Sequence, residues 1–131
     1  MPALASGVLR RLFELYEREG VDAALTLVAP DSVLVVPPSM SAEPDVYEGH
    51  AGARRYFAGF DGAIDDVRFL IRETHDETPD SVLAVMEVTG TGATTGIRIL
   101  FEAVVECEVR DGRVVRMVAH PDLATARGEP A

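Results

Sequence analysis

A chain of 131 residues, 47% hydrophobic and 26% charged, carries enough apolar material to bury one core without disulfide or metal staples, which excludes a disordered or fibrous protein. Twelve basic against 22 acidic residues leave a formal net charge of −10, which repels phosphate backbones and anionic headgroups, so neither nucleic acid nor a membrane surface is an expected partner. The chain has no Lys, which excludes lysine Schiff-base chemistry, and its one cysteine, Cys107, permits no internal disulfide.

The start, Met-Pro-Ala-Leu-Ala-Ser-Gly, lacks a basic stretch followed by an apolar run, and no segment approaches the length of a membrane span, so the expected location is cytoplasmic. Val8, Leu9, Leu12, Phe13, Leu15 and Tyr16 recur at helical spacing with charged residues between them, predicting an amphipathic first helix stopped by Gly20. Asp22 caps a short second helix over Ala23 to Val28, which Pro30 ends. Val33 to Val36 reads as a short strand between prolines, followed by a long polar loop from Ser39 to Gly49. Ala53, Tyr56, Phe57 and Phe60, spaced i, i+3, i+4, i+7, predict a third helix from near His50 to Gly59–Gly62.

Beyond Val67 the helical period disappears. Four β-rich segments follow, Val67 to Thr74, Val82 to Thr89, Ile97 to Val109 and Arg113 to His120, the last two joined by the hairpin signal Arg-Asp-Gly at 110 to 112, and the simplest topology is a four-stranded meander. Within the third segment Ile99, Phe101, Ala103, Val105 and Cys107 alternate with Arg98, Glu102, Glu106 and Glu108, so one face is buried. The fold class is α+β: one domain over residues 1–122, with 123–131 expected as a flexible tail.

This order of elements resembles the nuclear transport factor 2-like superfamily. The segments LYEREGVDAALTLVAPDSVLVVPP, EPDVYEGHAGARRYF and VRDGRVVRM are similar to its SnoaL-like branch, which includes polyketide cyclases and lies near the ketosteroid isomerases. The resemblance covers roughly residues 8 to 120. It implies a cone-shaped, curved antiparallel sheet closed by three helices of the N-terminal half, with a pocket inside. It also implies where catalytic groups would stand. The isomerases' general-base Asp corresponds to Val36, their oxyanion-hole Tyr to Phe13, a second network Tyr to Phe57 and their protonated Asp to Val105; the cyclases' inward His and Asp correspond to Met117 and Ala119. Every one of these positions is apolar here, and general acid–base catalysis needs a titratable group within reach of the moving proton.

Other residues then have to be weighed. Tyr47, in the long loop, is a candidate hydrogen-bond donor at the pocket rim, and Tyr16, one turn after Phe13, either reaches the cavity or packs in the core. Glu73 and His75 share parity with Phe69 and Ile71, which puts them on the inner face unless they end the strand in solvent, and His120 faces outward unless the register slips by one. The three histidines are isolated and no HExxH or CxxC pattern exists, so no metal or other cofactor is expected. Cys107 reads as a small core residue.

The leading expectation is a homodimer, paired through the outer sheet face, that holds a small hydrophobic or polycyclic molecule in a pocket lined by Phe13, Tyr16, Val36, Phe57, Phe60, Val105, Met117 and Ala119, with Tyr47 at the rim. Two alternatives remain open. One is a cofactor-independent isomerase, cyclase or epoxide hydrolase using Tyr16, Tyr47, Glu73 or His120; the other is a dimerisation module whose cone is filled by its own aromatics.

Overall fold

In the computed structural model, which describes residues 4–38 and 45–128, helix α1 (Ala5–Glu19) buries the expected stripe of Leu9, Leu12, Phe13 and Tyr16. Gly20 ends it, donating its N–H to the Tyr16 carbonyl at 3.0 Å from a backbone conformation, φ 92°, that suits glycine. Helix α2 (Val21–Leu25) is shorter than expected. The chain has already entered strand β1 (Val28–Val36) when it reaches Pro30, so that proline sits in a strand instead of ending a helix. Its missing N–H is tolerated there because the pairing with the neighbouring strand shifts between Val28 and Val33.

Part of the expected polar loop is a strand: β2 (Asp45–Glu48) pairs antiparallel with β1, Leu34 opposite Tyr47. Residues 39–44 of that loop lie outside the described residues. Helix α3 (Gly49–Ala63) follows at the expected place, tied to β1 where the His50 ring donates from Nε2 to the Val28 carbonyl at 2.7 Å. Strands β3 (Ile64–His75), β4 (Ser81–Gly92), β5 (Arg98–Arg110) and β6 (Arg113–His120) form the expected meander. Asp111 and Gly112, at φ 54° and 75°, turn the last hairpin.

The meander is part of a larger curved sheet of six strands, ordered β2-β1-β6-β5-β4-β3, in which β1 runs parallel to β6 and every other pair is antiparallel. Helices α1 and α3 pack on its inner face, where Leu34, Phe57, Ala84, Met86, Val105, Cys107 and Met117 join one core. On the outer face Glu106 accepts from Arg116 at 2.8 Å and from His120 at 3.0 Å. Burial pushes the Glu106 carboxyl up, but these two hydrogen-bonded partners outweigh it and hold the group below the ordinary carboxylate range.

Residues Leu123–Ala126 form a short helix, α4, whose first turn is capped by Asp122 accepting from the Thr125 N–H at 2.8 Å. Arg127 then pairs with Asp76 at 3.1 Å, and Ala126 and Arg127 share a cleft with Leu83, Glu106 and Glu108, so α4 lies against one end of the outer face. Residues 129–131 lie outside the described residues.

Gly52 lets α3 approach β2. A Cβ at that position would stand 2.5 Å from the Tyr47 carbonyl carbon and 3.0 Å from its Cα, both backbone atoms that cannot rotate away. Gly52→Ala is therefore expected to lower the unfolding free energy by about 1–3 kcal/mol despite alanine's better helix propensity. Urea denaturation measures this, and a more stable variant would mean that α3 is free to shift.

Candidate functional site

Between α1, α3 and the inner face of the sheet lies a cavity of about 230 Å³. Its helical wall is Phe13, Tyr56 and Phe60. Phe69 from β3 and Met86 and Val88 from β4 form one side, Phe101, Ala103 and Val105 from β5 the back, and Val36 and Ala119 from β1 and β6 the other side. Phe101, 41% exposed, marks the mouth. The strand residues face inward by the register itself: Phe69 opposes Val88, Met86 opposes Ala103, Val88 opposes Phe101 and Val105 opposes Ala119.

Of the residues expected to line a pocket, Phe13, Val36, Phe60, Val105 and Ala119 do so. Met117 is 3% exposed and borders, with Leu34, Val35, Tyr56, Val105 and Ala119, a separate void of about 10 Å³, too small for any organic ligand. Phe57 is fully buried behind the cavity, its ring 6.1 Å from that of Phe13 and 4.6 Å from that of Tyr16. Tyr16 does not reach the hollow. Its hydroxyl donates to Asp61 at 2.5 Å and lies 3.3 Å from the Phe57 carbonyl, and burial, reinforced by the Asp61 hydrogen bond, holds the phenol above its ordinary range. Tyr47 likewise is not a wall residue: it packs edge-on to Tyr56 with ring centroids 5.7 Å apart, while the Arg55 guanidinium covers its face at 4.8 Å.

Glu73 and His75 illustrate how alternation misleads. The β3–β4 register shifts between Ile71 and Glu73, so parity reverses past Arg72; Glu73 opposes Val85 and His75 opposes Leu83, on the outer face. There His75 donates to Glu73 at 2.8 Å, away from the cavity. His120 also faces outward, at the expected register, beside Arg116 and Val118. None of the relocated acid or base candidates thus borders the cavity. Cys107 is fully buried, and desolvation, with Glu108 adding to it, pushes its thiol up to about 12, so it is no thiolate nucleophile at neutral pH. Among the described residues no three His, Cys, Asp or Glu side chains converge as metal ligands.

Sequence reasoning missed Tyr56, among the described residues the one cavity-lining side chain that is polar. Its place one turn before Phe60 was the available signal, since i and i+4 share a helix face. The apolar wall residues Phe101 and Ala103 were legible from the same β5 alternation that placed Val105.

A SnoaL-like domain model matches residues 9–117, well over half of the chain. The protein belongs to the SnoaL-like family. No curated protein matches the chain in sequence. Solved structures of this family's fold do. A nuclear transport factor 2-like protein of unknown function from Burkholderia pseudomallei is 19% identical, with 93% of each chain covered and a TM-score of 0.74. A protein with a ketosteroid isomerase-like fold from Catenulispora acidiphila, solved with trimethylamine, is 15% identical over 94% of this chain and 93% of its own, TM-score 0.73. A Mycobacterium tuberculosis protein solved with estradiol-17β-hemisuccinate is 15% identical over 91% of this chain and 94% of its own, TM-score 0.74. Identities this low show a shared fold. Among the described residues of this SnoaL-like chain no helix is long and apolar enough to cross a membrane.

Proposed function

We propose that this SnoaL-like protein binds a small, uncharged, hydrophobic molecule in the cavity and does not act on it by the acid–base chemistry of the isomerases or cyclases. The observation that carries this is the lining: among the described residues it is aromatic and aliphatic side chains throughout, with Tyr56 as the one polar side chain and no carboxylate, imidazole or guanidinium. Pockets for small ligands are mostly apolar with a few orienting polar groups, whereas proton transfer needs a base that changes charge near neutral pH. That two fold neighbours were solved with small molecules supports a small-molecule partner.

The space sets the size. At about 230 Å³ the cavity is below the ~300–1,000 Å³ that encloses drug-sized ligands. The deep end is filled by the protein's own rings, Phe13 stacking on Phe69 at 4.4 Å and Phe60 meeting Phe69 edge-on at 5.2 Å. One or two fused rings suit what is left; a larger polycycle requires these walls to move.

Native mass spectrometry of freshly purified protein, followed by thermal shift against one- and two-ring terpenoids and aromatics, tests the reading. A ligand at a hundred times its dissociation constant adds about 2.7 kcal/mol, which raises the melting temperature by on the order of 5–10 °C for a domain of this size. Ala103→Leu, which fills the hollow from the β5 side, is expected to abolish the shift while the protein stays folded. A panel in which no compound moves the wild-type melting temperature rejects the reading.

The same proposal includes a homodimer through the outer sheet face. Leu70 and Leu100 are 52% and 66% exposed there, on strands flanking β4, while α4 occupies the other end of that face. Analytical ultracentrifugation is expected to give twice the 14.1 kDa chain mass, and Leu100→Glu is expected to give monomers. A wild-type monomer at tens of micromolar rejects the dimer.

A further inference from the structure

The hydroxyl of Tyr56 has no hydrogen-bond partner among the described residues, yet its ring is held from three sides. The ring centroids of Tyr47, Phe57 and Phe60 lie 5.7, 5.2 and 5.3 Å away, each at a near-perpendicular, edge-to-face angle. The residue borders both the main cavity and the small void beside Val105, Met117 and Ala119, so it stands at the junction of the two. Tyr56 is half-buried on a cavity wall whose other side chains are apolar, and a donor whose ring is already held loses little freedom when it pairs with an arriving acceptor.

We propose that Tyr56 is the cavity's anchor, donating a hydrogen bond from its hydroxyl to an acceptor oxygen of a neutral one- or two-ring molecule whose rings rest on the apolar strand walls. This rests on the binding reading above and adds the ligand's chemical class. Neutrality follows from the surroundings, since among the described residues the wall carries no cation to balance a carboxylate or phosphate, and the neighbouring Arg55 is already paired with Asp45 at 2.8 Å. An acceptor follows from the donor's own state. Burial, with Tyr47 adding to it, holds the phenol above its ordinary range, so it keeps its proton across the physiological range. The position differs from Phe13 and Phe57, where the resemblance to ketosteroid isomerases placed hydroxyl donors, so the polar group on the cavity wall is one this chain supplies for itself.

The experiment compares two probes of one carbon skeleton, 1-tetralone and its parent hydrocarbon tetralin, binding to the wild-type protein and to Tyr56→Phe by isothermal titration calorimetry. The substitution removes a hydroxyl that has no hydrogen-bond partner among the described residues, so the variant is expected to fold as well as wild type. Tetralone is expected to lose about tenfold in affinity on Tyr56→Phe, while tetralin changes less than twofold. The ketone's carbonyl stretch, read by infrared difference spectroscopy, is expected to move to lower wavenumber in the wild-type complex and to return in the variant. Equal effects on both probes, or none on either, overturn the anchor while leaving the pocket standing, because tetralin still binds. Binding of neither probe to the wild type at millimolar concentration overturns both.

Discussion

Phe57→Ala is expected to lower the unfolding free energy by about 3–5 kcal/mol, the range for truncating a buried aromatic that the surroundings cannot close over. Phe57 is fully buried within the aromatic cluster, in ring contact with Phe13, Tyr16 and Tyr56. Its carbonyl lies 3.3 Å from the Tyr16 hydroxyl, which joins the middle of α3 to α1. These rings are rigid and come from both helices, so collapse onto the vacated volume requires α1 and α3 to move together. Phe57→Leu keeps most of the volume and is expected to cost about 1–1.5 kcal/mol. Urea denaturation checks both, and a loss below 1 kcal/mol for the alanine variant would mean that the deep end of the cone is loosely packed.

Val105→Asp places a carboxyl in the middle of the cavity's back wall, 8% exposed, between Ala84 of β4 and Ala119 of β6. Among the described residues no cation borders that cavity, so desolvation dominates and raises the acid's pKa from about 3.9 toward about 7. The sign follows from linkage. A carboxyl whose folded value lies above its unfolded value favours unfolding increasingly as pH rises between the two, at about 1.4 kcal/mol per pH unit, and the penalty levels off above the folded value. The variant is thus expected to come closest to wild type below pH 4 and to be some 4 kcal/mol worse off at pH 8 than at pH 4. Thermal melts at pH 4, 6 and 8 measure this. A constant difference from wild type across that range would show a solvated back wall.

Much of this architecture is legible in the sequence for a definite reason. The stripe of Leu9, Leu12, Phe13 and Tyr16 and the alternation along Ala103, Val105 and Cys107 each follow one periodicity uninterrupted, and burial follows that period. Legibility fails where a partner strand decides. The irregularity near Arg72 turns Glu73 and His75 outward, and the one between Val28 and Val33 accommodates Pro30 inside a strand; both are properties of a strand pair, which one strand's pattern does not encode. Strand β2 was hidden because its Asp45–Glu48 segment is polar and held by pairing to one neighbour only.

The site divides along the same line. Val36, Val105 and Ala119 could be placed because strand parity and the family resemblance agreed on them. Tyr56 was passed over because the resemblance put the third helix's inward group at its neighbour Phe57, although only Tyr56 stands a full i, i+4 turn before Phe60; the structure gives the core to Phe57 and the cavity wall to Tyr56.

The central claim is a dry, apolar hollow where catalytic relatives hold ionisable groups, and diffraction from crystals under xenon pressure tests it without any knowledge of the natural ligand. Xenon occupies apolar cavities of this kind and is excluded where ordered water bridges polar groups. The expected result is one strong xenon site among Phe13, Phe69, Met86 and Val105; a chain of ordered waters filling that space, with no xenon bound, would contradict the account.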